Sequence, residues 1–305
     1  MKPVNPTVQR FKNISELMSY LHQPVPSHPL IAMVNYDNMA VNTLRKQQKI
    51  AIDFYKISFK PSFKGQIKYG QGYYDFQGGG LAFLKPQQIV TSSNDERGYE
   101  GYSLYFHTDF IRNYPLANSI HQYGFFSYSA SEALFLSDKE QRVIGDLFRS
   151  IESELSNNID QYSQDVLVSQ IDLLLNYSNR FYNRQFITRK IINNEIIAQL
   201  DDLLEDYFNK ETPLINGLPS VQYISGQLNV SQRYLSDMLH VIAGQNTQQY
   251  IHEKIIARAK DRLSTTNLLV SEIAYELGFE HPQSFSKLFK TKTEQSPLEF
   301  RNSFH

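Results

Sequence analysis

The chain contains no cysteine, which excludes disulfide scaffolds, thiolate zinc sites and a cysteine nucleophile, and which fits a reducing compartment. Charge of one sign is also missing. Thirty Lys and Arg stand against 31 Asp and Glu, a formal net charge of −1, so bulk electrostatics announce neither a nucleic-acid nor a membrane partner. No run approaches the roughly 18 consecutive apolar residues of a membrane span. The opening residues, Met1-Lys2-Pro3-Val4-Asn5-Pro6-Thr7, lead into polar sequence with no apolar secretion segment. The expectation is a soluble cytoplasmic protein. Signatures of catalysis are lacking too: there is no Gly-x-Ser-x-Gly, no phosphate loop and no dinucleotide fingerprint.

Apolar residues are plentiful. Of 305 residues, 41% are hydrophobic and 13% aromatic, enough for two or three folded domains. From about Pro29 to Phe126 the sequence is rich in Tyr, Phe, Ile and Gly. Ile50 to Phe59, Gly80 to Leu84 and Gly101 to Phe106 read as strands. Turn chemistry separates them at Pro61-Ser62, Asp75 to Gly80, Lys85-Pro86 and Ser92 to Gly98. Frequent short strands of this kind predict a small sandwich or barrel. The Gly-rich Asp75 to Gly80 segment is expected to be a hairpin turn, not a phosphate cradle.

At Ser137 the period changes from two to 3.6. Ser137 and Glu140 have the spacing of a capping box, and Val143, Ile144, Leu147, Phe148, Ile151 and Leu155 form one apolar stripe. A second helix is expected over Ser163 to Phe181, with Val166, Ile171, Leu174 and Leu175 on its stripe, and a third over Lys190 to Phe208. The prolines and glycine of Thr212 to Pro219 should break the helix and mark a domain boundary. The organisation expected is therefore 1–135, a strand-rich domain; 136–212, helices; and 213–305, a terminal helical domain.

That terminal domain contains a duplication. Tyr223 to His240 aligns with Glu272 to Lys290. Ile224 pairs with Ile273, Leu228 with Leu277 and Val230 with Phe279. After one inserted residue, Leu235 pairs with Phe285, Met238 with Leu288 and Leu239 with Phe289. A helix-turn-helix requires this pattern. Its helices cross at a small residue (Ser225, Ala274). The turn needs a residue that tolerates left-handed backbone (Asn229, Gly278). An apolar plug follows (Val230, Phe279), Ser231 can cap the next helix, and that helix buries one face and frees the other for a major groove.

On these residues the stretch from Val221 to Arg301 resembles the DNA-binding domain of the AraC/XylS family of bacterial transcription regulators. The similarity is densest at Ile273-Ala274-Tyr275-Glu276-Leu277-Gly278-Phe279 and Ser284-Phe285-Ser286-Lys287-Leu288-Phe289-Lys290. It continues through Ser296 to Arg301, and appears in the linking helix at Tyr250-Ile251 and Ala257 to Leu263. Two residues depart from the family pattern: Ser225, where alanine is preferred, and Glu294, where glycine is usual and where the turn before Pro297 could be strained. The resemblance implies two helix-turn-helix units joined by a helix from about Thr247 to Leu263. Their reading helices would lie roughly 34 Å apart, in successive major grooves.

The free faces name the candidate DNA contacts: Ser231, Gln232, Arg233, Ser236, Asp237 and His240 in the first copy, and Pro282, Gln283, Ser284, Ser286, Lys287 and Lys290 in the second. Arg233 suits guanine and the two glutamines adenine, whereas Ser231, Lys290 and Lys292 suit phosphate. Between 213 and 305 nine Lys and Arg oppose eight Asp and Glu, so nonspecific phosphate attraction should be modest.

The resemblance also implies an α+β chain whose first part is a cupin-like β-barrel that senses a small ligand or dimerises. Tyr36, Tyr55, Tyr69, Tyr73 and Tyr105 are candidates to line such a barrel, although no ligand site is assigned. A metal-dependent cupin enzyme is the competing reading. It needs clustered histidines, and His28, His107 and His121 are scattered. The expectation is a regulator, not an enzyme, with no metal or cofactor. Its partners would be double-stranded DNA, a second copy of the chain, RNA polymerase and a small effector, with no membrane.

Overall fold

The computed structural model of the protein describes residues 8–38, 49–61, 66–69, 72–75, 79–91, 100–129, 132–158, 160–210 and 212–304. The chain divides into two compact units, Met1–Gln185 and Phe186–His305.

The first unit opens with β1 (Gln9–Phe11) and α1 (Ile14–Tyr20), elements too short to show a period in the sequence. Asn13 caps α1 by accepting from the Glu16 amide at 2.9 Å. There follow β2 (Ile31–Asn35), β3 (Lys49–Ile52), β4 (Tyr55–Lys60), β5 (Gln66–Tyr69), β6 (Gly72–Asp75), β7 (Gly80–Leu84), β8 (Ile89–Thr91) and β9 (Tyr102–Phe106). Next come α2 (Leu116–Ser119), β10 (Leu134–Phe135), α3 (Asp138–Ser156) and α4 (Ser163–Thr188). Five strands form an antiparallel sheet in the order β10-β7-β4-β9-β2, a second sheet runs β1-β3-β8, and β5 pairs with β6. This is the cupin-like, sheet-rich half of an α+β chain.

One expected strand is in fact two. Ile50 to Phe59 breaks at Asp53-Phe54, and its halves belong to different sheets. The Asp53 amide turns away to the Phe11 carbonyl at 3.0 Å, while Phe54 is fully buried at the corner. A strand that changes sheets at a bend lets one continuous apolar run serve both layers. Gly101 permits the close layering. Its φ is +105°, and a Cβ there would lie 2.2 Å from the Phe59 carbonyl oxygen.

Between the sheets Phe11, Ile14, Leu17, Met18, Ala32, Val34, Ile50, Ile52, Phe54 and Tyr105 pack together, with Tyr36 against them. The opposite face of the five-stranded sheet receives the helices. Phe59 and Tyr102 both stack on Phe148 of α3, at 5.6 and 5.7 Å between ring centroids. Tyr55 lies on this helix-facing side, stacked on Phe106 at 5.2 Å, and so does not line the space between the sheets. The alternation of side chains along β4 decides this, since Tyr55, Ile57 and Phe59 share one face. The side chains of Tyr69 and Tyr73 lie outside the described residues, as do Ser62, 76–78 and 92–98 of the expected turns.

The capping box of α3 is present: Glu140 accepts from the Ser137 amide at 2.8 Å and Ser137 Oγ from the Glu140 amide at 3.5 Å. Glu140 also takes two hydrogen bonds from Arg184, at 3.0 and 2.6 Å, joining α3 to α4. The second helix runs beyond Phe181 because Tyr182 and Gln185 prolong its buried stripe. Each histidine has its own setting. His28 Nδ1 accepts from the Leu30 amide at 3.1 Å, with its pKa lowered by burial. His107 Nδ1 accepts from the Asp109 amide at 3.2 Å, and His121 is exposed. Among the described residues no three His, Asp or Glu side chains converge as a metal site, and no helix is long and apolar enough to cross a membrane.

The second unit is helical: α5 (Lys190–Asn209), α6 (Thr212–Asn216), α7 (Val221–Gln227), α8 (Gln232–Ala243), α9 (Thr247–Thr265), α10 (Val270–Glu276), α11 (Pro282–Thr293) and α12 (Pro297–Asn302). The segment expected to be a bare break contains α6, and it lies inside this unit, not at its edge. Long-range bonds explain why. Asp201 of α5 accepts from Tyr250 Oη and pairs with Lys254 of α9, both at 2.7 Å. Arg258 donates to the Phe208 carbonyl at 3.0 Å, and Tyr207 Oη donates to the Gly217 carbonyl at 2.9 Å.

Candidate nucleic-acid interface

The two copies of the duplication are closed by the same backbone hydrogen bonds. In the first, Leu228 N donates to Ile224 O at 3.0 Å, Asn229 N to Gly226 O at 3.3 Å and Val230 N to Ser225 O at 3.1 Å. In the second, Leu277 N donates to Ile273 O at 3.0 Å, Gly278 N to Tyr275 O at 2.9 Å and Phe279 N to Ala274 O at 3.0 Å. Asn229 and Gly278 are both left-handed, with φ of 55° and 92°, as the turn requires. Ser225 and Ala274 are buried at the crossings. The serine keeps its hydroxyl satisfied by donating to the Gln222 carbonyl at 3.2 Å, which explains why it can replace alanine.

The second helix of each copy starts differently. Ser231 Oγ caps α8 by accepting from the Tyr234 amide at 3.2 Å. In contrast, α11 begins with Pro282 and has no side-chain cap; a proline at this place has no N–H to satisfy. Both helices end on left-handed residues, Gly244 at φ 71° and Glu294 at φ 64°. For Glu294 this conformation costs about 1–2 kcal/mol, of which glycine's greater freedom in the unfolded chain would return part. Glu294→Gly is therefore expected to stabilise the protein by roughly 1 kcal/mol. Thermal unfolding would register it as a rise in Tm, and an unchanged or lower Tm would show that the residue is not strained.

Inward, α8 buries Tyr234, Leu235, Met238 and Leu239, and α11 buries Phe285 and Phe289. Outward, Gln232, Arg233 and His240 are exposed on α8, with Ser231, Ser236 and Asp237 half-buried beside them. On α11 Gln283, Ser284, Lys287 and Lys290 are exposed, and Pro282 and Ser286 half-buried. Lys290 and Lys292 occupy the last turn of α11. All twelve candidate residues thus stand on or immediately before the two helices, off their buried stripes.

Arg233 and Asp237 form a pair: Arg233 Nε donates to Asp237 Oδ2 at 3.0 Å. An i,i+4 pair on an exposed helix contributes only about 0.3–0.5 kcal/mol to stability. Its larger consequence is that the guanidinium is held in one orientation and that a negative charge stands beside it. Asp237 thereby bears on the guanidinium of Arg233 as well as standing on the outward face of α8. Asp237→Ala should tighten binding to every duplex and shrink the ratio between a specific site and a scrambled one. Fluorescence anisotropy at two salt concentrations measures both, and an unchanged ratio would remove Asp237 from the readout.

α9 seats both copies. Asn246 caps it, accepting from the Gln249 amide at 2.9 Å. Arg262 pairs with Glu276 of α10, Arg301 Nε donates to the Leu263 carbonyl at 3.3 Å, and Lys260 lies over the Phe300 ring at 5.7 Å. Nineteen residues of helix span about 28 Å. The supporting contacts of Arg262, Arg301 and Lys260 leave no signal in the sequence, since their partners are far away along the chain. The Arg233–Asp237 pair was not read from the sequence either, although its four-residue spacing carries the signal.

Two family models match separate stretches of the chain. A helix-turn-helix domain family matches residues 224–303, and the AraC-like ligand binding domain family matches residues 64–170; together they span over half of the chain. A protein named histidine kinase P4, from Formosa agariphila, is 25% identical over 142 residues, which is 46% of this chain and 10% of that protein. An uncharacterized HTH-type transcriptional regulator of Staphylococcus aureus is 25% identical over 146 residues, 48% of this chain and 18% of the relative. The chain thus spans only a small part of these relatives' lengths. Among solved structures, the C-terminal domain of the two-component response regulator yesN from Fusobacterium nucleatum is 28% identical. The match covers 34% of this chain and 95% of that one, with a TM-score of 0.30.

Proposed function

The chain belongs to the AraC/XylS family of helix-turn-helix regulators, and from that premise we propose that it is a sequence-specific DNA-binding transcription regulator without enzymatic activity. The observation that carries this is the repeated turn, with the same three backbone bonds in each copy and a polar face turned outward on α8 and on α11. The two reading helices enter successive major grooves. Arg233, Gln232 and Gln283 read bases; Ser231, Lys287, Lys290 and Lys292 hold phosphates. Because nine basic residues oppose eight acidic ones from 213 to 305, base contacts carry an unusually large share of the affinity.

As a regulator the protein acts in the cytoplasm, binds its sites as a homodimer, contacts RNA polymerase and is tuned by a small effector in its N-terminal unit. In functional terms the chain divides into the sensing barrel (1–135), helices that dimerise and link (136–212) and the DNA-binding domain (213–305). Selection of duplexes from a random pool by the full chain tests the assignment. Enriched sites should carry two short motifs about 10–10.5 base pairs apart. A pool that stays random after repeated rounds would overturn it.

A further inference from the structure

We propose that Phe186, in the last turn of α4, is a positioning residue for the first reading helix alone. It holds α8 in the orientation that reads bases, whereas α11 is held by rings of its own copy. The inference rests on the DNA-binding reading given above and names what sets one of the two reading helices.

The two copies differ at one aligned position. Tyr234 of α8 corresponds to Ser284 of α11, each just ahead of the matched Leu235 and Phe285. Ser284 is exposed, whereas Tyr234 is buried. Phe186, which comes from outside the duplication, helps to cover it. The two buried rings meet edge to face, with centroids 5.2 Å apart.

The cores of the copies show why a ring from outside is needed. In the second copy Phe279 packs on Phe285 at 5.4 Å, Phe285 on Phe289 at 5.8 Å and Phe289 on Phe300 at 5.5 Å. The first copy has the smaller Val230, Leu235 and Leu239 at the matched places. Its Tyr250, which like Phe300 stands four residues after a helix cap, directs its hydroxyl to Asp201 of α5. Buried aromatic rings dominate the packing of a small core. Here they arrive from the segment ahead of the duplication: Phe186 on α8, and Tyr207 of α5 on Tyr223 of α7 at 5.4 Å.

Phe186 is itself anchored. Its carbonyl accepts from the buried Asn193 Nδ2 at 2.6 Å, and the Asn193 amide donates to the Arg189 carbonyl at 3.0 Å. Asn193 belongs to α5, which is tied to α9 through Asp201 and Phe208. The far end of this brace is next to the reading face. Tyr234 directly follows Arg233, and its amide is the donor that Ser231 Oγ caps. Any turn of α8 that displaces Tyr234 carries Ser231, Gln232 and Arg233 with it, and base readout depends on the alignment of such donors.

Anisotropy with the full chain tests the assignment on three duplexes: the selected site, the site with one of its two motifs scrambled, and the site with the other scrambled. The motif whose readout Arg233→Ala removes is the one read by α8. Phe186→Ala should reduce discrimination at that motif by about tenfold or more and leave discrimination at the other motif within about twofold. Phe186→Leu, which keeps most of the apolar volume, should restore most of the loss. Asn193→Ala releases the Phe186 carbonyl but keeps the ring, so it should give the same split to a smaller degree, and it decides the matter if Phe186→Ala does not fold. A merely structural role would lower both discriminations together. That result, or an undiminished α8 motif in a folded variant, overturns the proposal. A wild-type chain that binds all three duplexes alike sinks the DNA-binding reading and this inference with it. A wild type that discriminates beside variants without the split sinks this inference alone.

Discussion

Gly278→Ala should destabilise the second helix-turn-helix by about 2–5 kcal/mol and abolish DNA binding with it. Two costs combine. The residue sits at φ +92°, where a side chain costs about 1–2 kcal/mol. The added methyl would also lie 2.7 Å from Gly217 C, 2.8 Å from Gly217 O and 3.1 Å from Leu218 N. All three are backbone atoms that no rotamer change can move aside, and forced overpacking of this kind costs about 1–3 kcal/mol. Gly217 is itself anchored, at φ +72° and by the Tyr207 hydroxyl, so the strain is not easily passed on. Gly226 supplies the control. It lies in α7, and a Cβ there meets nothing within 4 Å, so Gly226→Ala should gain about 0.5–1 kcal/mol. Denaturant titration followed by helical circular dichroism separates the two, because the second unit is helical throughout. Equal midpoints for both variants would show that the Gly217-Leu218 backbone does not press on this turn.

Arg233→Ala should remove about 1–3 kcal/mol of sequence discrimination, roughly a five- to 150-fold change in relative Kd. The loss should appear at one base position of the selected site. Arg233 is exposed on α8 and its guanidinium is already oriented by Asp237 at 3.0 Å, so little ordering entropy remains to be lost on docking. Anisotropy with the selected site and with single-base variants of it gives the measurement. An equal loss on every duplex, with a shallower salt dependence, would make Arg233 a phosphate contact and leave the reading of bases to the two glutamines.

The features that could be read in advance are those written within a few turns of chain. The Ser137–Glu140 box, the α3 stripe, both left-handed turn residues, the Ser231 cap and the outward faces of α8 and α11 all follow from spacings of one to four residues. The strained Glu294 could be read in the same way, from its departure from glycine. Errors fell where a local pattern had two solutions. An apolar run from Ile50 to Phe59 is compatible with one long strand or with two strands in different sheets, and Tyr55 looked as suitable for lining a ligand space as Tyr105 until the alternation along β4 separated them.

Periodicity and turn chemistry, being properties of neighbouring residues, determined from the amino-acid order alone that the chain ends in a doubled helix-turn-helix and which side chains it presents. Tertiary structure decided what lies far apart in the chain and close in space. It brought Asp201 to Tyr250 and Lys254 at 2.7 Å, set the Gly217 backbone against Gly278, and laid Phe186 on Tyr234. Such contacts have no period of their own. They exist because separate elements bury their apolar faces together, and the polar groups carried along must then find partners wherever that packing leaves them.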